Sequence, residues 1–374
     1  MVKRILEEVI INDLFKGKAV IIYGARQVGK TTLVNSLVKR INKPAAFLNG
    51  DNADIRELFN NFSVSRFTPV AGNNKIVILD EAQRIPEAGL AIKIINDNFK
   101  NIQLIVTGSS SFELAGKIKE PMTGRKFEYF LYPFSFKELA LHNGFLKEKG
   151  ALEERLIYGS YPEVALSSGD KLRLIKLLAS DYLYKDLLAI GQIRKPVLLE
   201  KIIKALALQL GSEVSYNELS QLLETDKGTI EKYIDLLEKS YIIFRLNGLN
   251  RNVRNEIKKG RKIYFYDNGI RNAIIGNFLP LSSRNDTGAL WENYVISERL
   301  KLIHFQNEDV KTYFWRTTQK QEIDYIEEKG NRFYAYEFKW NPLKKYLLSK
   351  TFSNSYPSSE FKIISPGNMH EFLM

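Results

Sequence analysis

The chain has 374 residues, with 55 Lys and Arg against 43 Asp and Glu, a formal charge of +12. It has no Cys, which excludes disulfides, thiolate metal sites and Cys nucleophiles, and its three His are far apart in sequence. A hydrophobic content of 44% and a charged content of 26% exclude wholesale disorder. The length suggests roughly two or three domains.

No apolar run approaches the ~18–20 residues of a membrane span. Glu7 and Glu8 stand where a leader peptide needs its apolar region. A cytoplasmic protein with no membrane partner is therefore expected. The basic balance points towards a polyanionic partner, and any metal should be a hard one held by oxygens.

In chain order, residues 1–140 alternate apolar runs, AVIIYG (19–24), AAFLNG (45–50), KIVILD (75–80) and IQLIVTG (102–108), with helical segments. Such alternation predicts an α/β core with a parallel sheet covered on both faces. KFEYFLYPF (126–134) is expected to complete it. Residues 141–195 read mainly as helix, a lid on that core. Residues 196–266 carry a winged-helix pattern: a capping box at Ser215-x-x-Glu218, a second helix GTIEKYIDLLEKS, and wing strands YIIFRL and KIYFYD. Residues 267–374 read as a separate α/β module, a helix ALWENYVISERLKLI followed by strands KTYFWRT, QEIDYIEE and RFYAYEFKW.

The chemistry begins at Gly24-Ala25-Arg26-Gln27-Val28-Gly29-Lys30-Thr31, which fits the phosphate-loop pattern G-x-x-x-x-G-K-[ST] between a strand and a helix. Glycines let the backbone N–H groups curl towards phosphates, and the helix N-terminus adds partial positive charge. Lys30 is expected to reach the β and γ phosphates and Thr31 to coordinate Mg²⁺, with Thr32 beside it. ATP and Mg²⁺ are thus the expected cofactors. Arg26 is read as touching either nucleotide or a neighbouring subunit.

In KIVILDEAQ, four apolar residues precede Asp80 and Glu81. Asp80 would order the metal's water shell, and Glu81 would polarise the attacking water as general base. Thr107, Ser109 and Ser110 end the next strand, either sensing the γ phosphate or capping a helix. Arg125 is a candidate arginine finger, in cis or in trans, or a plain surface Arg.

GARQVGKTTL, LDEAQ, VTGSSS, GR…FEYFLYPFSFKEL and YGSYPEV together resemble a prokaryotic group of AAA-type ATP-binding proteins. Its members join a P-loop ATPase core to a winged helix and a C-terminal domain related to PD-(D/E)XK nucleases, a restriction-endonuclease-like α/β fold. KIYFYDNGIRNAI, GALWENYVISERL and QEIDYI resemble that last domain. The resemblance implies ATP binding, and it maps the nuclease residues onto Glu292, Asp324, Glu337 and Lys339, the three carboxylates holding metal. Pairing Glu328 with Asn331 in a hairpin puts Asp324 opposite Ala335, with Glu337 and Lys339 on the same face. The bland alternative is a cross-strand Glu/Lys pair on a solvated face.

The helix of residues 226–239 carries four acids and three Lys, a poor surface for phosphate, so it suits an interdomain brace. Residues 245–262 carry seven basic residues against Glu256, and are the expected DNA-binding segment. Two functions follow. One is an ATPase whose nucleotide state controls a nuclease-like, DNA-associating domain. The other is a nucleotide-dependent switch that binds a protein partner, its nuclease fold kept as scaffold. Homo-oligomerisation is left open by the sequence.

Overall fold

The computed structural model describes residues 1–60, 62–108, 122–181, 193, 195–249, 260–317, 319–342 and 348–374. The chain divides into two compact units, residues 1–134 with 239–241, and residues 135–238 with 242–374.

The first unit is built on β1 (Ala19–Tyr23), β2 (Ala45–Asn49), β3 (Ile76–Asp80), β4 (Gln103–Gly108) and β5 (Lys126–Phe130). They form a parallel sheet in the order β2-β3-β4-β1-β5. The continuous apolar runs are explained by burial, since every residue of β1, β3 and β4 is buried. Because β4 separates β1 from β3, the loop after β1 and the carboxylates after β3 flank the end of β4. All three lie at the carboxyl edge of the sheet, where open α/β sheets bind ligands.

The second unit contains β6 (Glu213–Val214), β7 (Ile243–Gly248), β8 (Arg261–Phe265), β9 (Lys311–Arg316), β10 (Glu322–Lys329), β11 (Arg332–Phe338) and β12 (Glu360–Ile364). Among the described residues these make one sheet in the order β12-β11-β10-β9-β7-β8-β6. Helices Tyr216–Leu222 and Lys227–Lys239 precede the antiparallel pair β7–β8. Ser215 accepts from Glu218 N, as the capping pattern predicts.

Three expectations change here. The boundary at 266/267 does not interrupt the sheet, because the outer edge of β7 pairs in parallel with β9, Asn247 with Tyr313 and Gly248 with Phe314. Leaving that edge unpaired would strand its backbone N–H and C=O groups. The lid assigned to the first core instead groups with the C-terminal unit, as far as it is described. Its helix Leu152–Tyr158 packs on Asn268–Ile275, and Asn272 Nδ2 donates to the carbonyls of Leu156 and Ile157 at 3.0 and 2.9 Å. The parallel strand β12 has no counterpart among the predicted elements.

The hairpin β10–β11 turns at Gly330–Asn331, with Lys329 opposite Arg332 and Ile326 opposite Ala335. The register is thus displaced by two residues from the predicted one. A displacement of two preserves which side chains share a face, so the grouping of Asp324, Glu337 and Lys339 survives it. The register of β10 against β9 also shifts between Ile323 and Ile326. This irregularity brackets Asp324 and lets both isoleucines enter one core with Trp315, Ala335, Phe352 and Tyr356.

Candidate functional site

In the first unit the phosphate loop turns sharply because Gly24 lies against a neighbouring strand exit. A Cβ there would sit 2.2 Å from the Leu131 carbonyl oxygen, so only glycine fits. The helix Lys30–Ile41 starts directly after Gly29 and has no side-chain cap, which leaves its first N–H groups to the loop. Lys30 is buried, and its ammonium donates to the carbonyls of Gly24 and Ala25 at 3.0 and 2.9 Å. Ala25 and Val28 are buried, Arg26 is half-buried, and Gln27, Thr31 and Thr32 are exposed.

Asp80 is the hub of the site. Its Oδ2 accepts from Thr31 Oγ1 at 3.0 Å, and its Oδ1 accepts from Thr107 Oγ1. The Thr107 hydroxyl in turn accepts from Glu81 N at 3.2 Å. One hydroxyl on β4 therefore joins the two carboxylate residues, and Asp80 links them to Thr31 at the end of the loop. Glu81 follows in the left-handed region at φ 51, a conformation that costs a non-glycine residue on the order of 1–3 kcal/mol and clusters at functional sites. Its carboxylate accepts from Gln83 Nε2. The Thr31 hydroxyl and the Asp80 carboxylate are hard oxygen donors beside the loop, a set that fits Mg²⁺.

A buried residue outside the motif also holds the loop. Arg4 donates to the carbonyl of Val28 at 2.8 Å and to that of Tyr132 at 2.6 Å. Its guanidinium lies 4.9 Å from the Phe134 ring centroid. Arg4→Ala should weaken ATP binding about tenfold, because charge-assisted hydrogen bonds contribute about 1.5–3 kcal/mol each and part of that is lost as loop order. Calorimetric titration with Mg-ATP measures this. Unchanged affinity would mean the loop keeps its shape unaided.

Two expected nucleotide contacts fare differently. Ser109 and Ser110 lie outside the described residues. Arg125 is placed at the amino edge of the sheet, where its carbonyl accepts from Ala19 N at 3.0 Å. Its side chain pairs with Asp97 at 3.1 Å. The five residues of β1, at about 3.3 Å each, separate it from the loop by roughly 17 Å. Arg125 is therefore not a finger for its own chain's nucleotide.

In the second unit, Asp324, Glu337 and Lys339 come together with Glu292 of the helix Thr287–Gln306. Asp324 Oδ2 accepts from Phe338 N at 2.9 Å, and Lys339 Nζ donates to Glu337 Oε1 at 2.5 Å. Glu337 is buried and its Oε2 has no hydrogen-bond partner. Burial pushes the Asp324 carboxyl well above the ordinary range, with the charges of Glu292 and Glu337 adding to the effect. Burial likewise raises Glu337, against the opposing pull of Lys339. This is not a solvated cross-strand pair.

Three members of this cluster escaped the sequence reading. Lys262 on β8 is only 1% exposed, and its ammonium lies 3.1 Å from Glu292 Oε1 and 2.5 Å from Glu322 Oε1. Tyr264, two residues along the same strand, donates to Glu292 Oε1 at 2.6 Å. The alternation Lys262-x-Tyr264 was the available signal, but nothing local names the helix they face. Among the described residues no group of three or more His, Asp or Glu is arranged to hold a metal ion. Glu292 Oε1 is engaged by Lys262 and Tyr264, so this oxygen does not fit the open three-carboxylate metal site implied by resemblance.

The same ion pairs weaken the DNA-binding expectation for residues 245–262. Lys262 is spent internally, and Arg245 pairs with Asp235 at 2.8 Å and with Glu238. Arg261 stacks over the Tyr216 ring, 4.7 Å from its centroid. Arg251, Arg254, Lys258 and Lys259 lie outside the described residues.

Comparison with known proteins agrees with the loop geometry. Residues 16–140 match the AAA domain family, residues 149–280 a domain of unknown function, and residues 287–368 a second, different domain of unknown function. An uncharacterised protein of Mycobacterium tuberculosis is 25% identical over 332 residues, covering 87% of this chain and 71% of that one. An uncharacterised protein of Methanocaldococcus jannaschii is 23% identical over 337 residues, 84% of this chain and 73% of its own. Solved structures that overlap in part include the Thermotoga maritima RuvB Holliday junction branch migration motor, with TM-score 0.32, 14% identity and coverage of 70% of this chain and 92% of that one. Cdc6p from Pyrobaculum aerophilum gives TM-score 0.28 and 12% identity, covering 73% and 92%. No helix of the described residues is long and apolar enough to cross a membrane. Residues 16–140 thus match the AAA domain family, and the loop within them has the phosphate-loop sequence between a strand and a helix.

Proposed function

We propose that this chain is a Mg²⁺-dependent ATPase whose nucleotide state switches the C-terminal unit, and that the unit acts as a binding scaffold with a nuclease-like fold. The observation that carries the ATPase reading is the single network joining Thr31, Asp80, Thr107 and Glu81 at the phosphate loop. Bound Mg²⁺, held through Thr31 and Asp80, would neutralise charge on the β and γ phosphates. Lys30 leaves the carbonyls of Gly24 and Ala25 for phosphate oxygens, so its ammonium exchanges neutral acceptors for anionic ones. Glu81 then takes the proton of the attacking water.

Lys30→Ala should weaken ATP binding by roughly 10–150-fold, the equivalent of one charge-assisted hydrogen bond of about 1.5–3 kcal/mol. Calorimetry on the folded protein reads this directly. Wild-type affinity in the variant would remove the loop from the mechanism.

The switch reading is favoured over nuclease control by the state of the carboxylate cluster, where a lysine already engages Glu292. The winged-helix-like elements, helices Tyr216–Leu222 and Lys227–Lys239 with β7 and β8, serve in this reading as a brace. Cleavage assays with divalent metal on single- and double-stranded DNA discriminate the two functions. Cutting lost in both Asp324→Ala and Lys339→Ala would restore the nuclease reading.

A further inference from the structure

The carboxylate cluster of the C-terminal unit carries its own cation. We infer that the Lys262 ammonium occupies the place at Glu292 that a divalent metal would otherwise take, closing this nuclease-like cluster to metal. The inference deepens the scaffold reading above and rests on the nuclease-like assignment of that unit.

Geometry carries it. Lys262 sits on an interior strand between β6 and β7, paired to Glu213 and Leu246, so its backbone cannot readily move away. Its side chain is 1% exposed. A buried ammonium needs anionic partners, and Lys262 has two, Glu292 Oε1 at 3.1 Å and Glu322 Oε1 at 2.5 Å. The oxygen of Glu292 that it contacts also accepts from Tyr264 at 2.6 Å. That oxygen is then fully engaged by donors. A divalent ion arriving there would meet a like charge at contact distance and would have to displace it.

Lys339 completes the arrangement at the other end of the cluster by engaging Glu337 Oε1 at 2.5 Å. Lys262 on β8 and Lys339 directly after β11 thus each engage one oxygen of a glutamate, the helical Glu292 and the strand Glu337. The packing has a structural consequence as well. The cation arrives from β8, beyond the predicted domain boundary, so the cluster is assembled only when β7 joins β9 in a single sheet.

The test is Mn²⁺ binding to the full chain without nucleotide, followed by electron paramagnetic resonance and by thermal unfolding. In the wild type, no Mn²⁺ binding that is sensitive to Glu292→Gln is expected, and Mn²⁺ held elsewhere will be unchanged by that substitution. Lys262→Met keeps the length of the side chain and removes its charge. It should gain a Mn²⁺ site, with a Tm rise of roughly 5–10 °C at about a hundredfold excess over its Kd. Adding Glu292→Gln to this variant should abolish the gain.

Wild-type Mn²⁺ binding lost in Glu292→Gln would overturn the inference while leaving the nuclease-like assignment standing. A folded Lys262→Met chain that gains no site would overturn both. Should Lys262→Met not fold, Lys262→Gln replaces it under the same criteria, and the wild-type comparison with Glu292→Gln decides the matter by itself. Nucleotide binding at Lys30 is measured separately, so failure of the ATPase reading is not confused with failure here.

Discussion

ATP turnover is expected to fall by about 10²–10⁴-fold in Glu81→Gln while ATP binding is retained. The substitution keeps shape and hydrogen-bond capacity, so Gln83 Nε2 can still donate to the side chain at 81. What it removes is a group that can take a proton from water. The backbone should not move, because Glu81 N remains tied to Thr107 Oγ1 at 3.2 Å. Steady-state phosphate release and equilibrium nucleotide binding, measured on the same preparation, separate this from a folding defect. Equal turnover in the two proteins would refute the base assignment. Loss of binding together with turnover would place Glu81 in the phosphate cradle instead.

The second large effect is structural. Gly159→Ala should destabilise the C-terminal unit by roughly 4 kcal/mol or more, enough to depress soluble yield. Gly159 has φ +79, and a Cβ there would lie 1.9 Å from Asp267 Oδ1 and 2.6 Å from its Cγ. Asp267 has no room to yield. It is buried, its Oδ2 accepts from Ser160 N at 2.7 Å and its Oδ1 from Ile270 N at 3.2 Å. Burial raises its carboxyl above the ordinary carboxylate range, against the pull of those N–H groups, so losing them would be costly.

Gly276→Ala provides the control. Gly276 also has a positive φ, +69, but nothing lies within 4 Å of its missing Cβ. Its cost should be only about 1 kcal/mol, that of the left-handed backbone. Thermal unfolding of both variants distinguishes steric conflict from backbone strain. Similar Tm values for the two would show that the contact with Asp267 yields more easily than its hydrogen bonds imply.

Gly159 also accounts for two motifs recognised by resemblance. YGSYPEV and KIYFYDNGIRNAI are distant in sequence, yet Ser160 and Asp267 hydrogen-bond, and Asn272 reaches the carbonyls before Gly159. Their shared feature is a backbone clamp within the C-terminal unit. It explains why those residue types are needed there without assigning them chemistry.

The sequence by itself determined the parts whose signal is local. A phosphate loop is legible because its glycines, Lys30 and Thr31 act within eight consecutive residues. The parallel core is legible because buried strands such as Ile76–Asp80 are apolar throughout. The face shared by Asp324, Glu337 and Lys339 could be read despite a register error, since strand parity survives a shift of two. Tertiary structure alone decided what depends on residues brought from afar. It placed Arg125 at the wrong edge of the sheet for its own nucleotide, and brought Arg4 to the loop from more than twenty residues upstream. It joined β7 to β9 and so delivered Lys262 to Glu292. The physical reason is that a side chain's long-range partner depends on which elements pack together, and hydrophobic periodicity fixes the face of an element but not its neighbour.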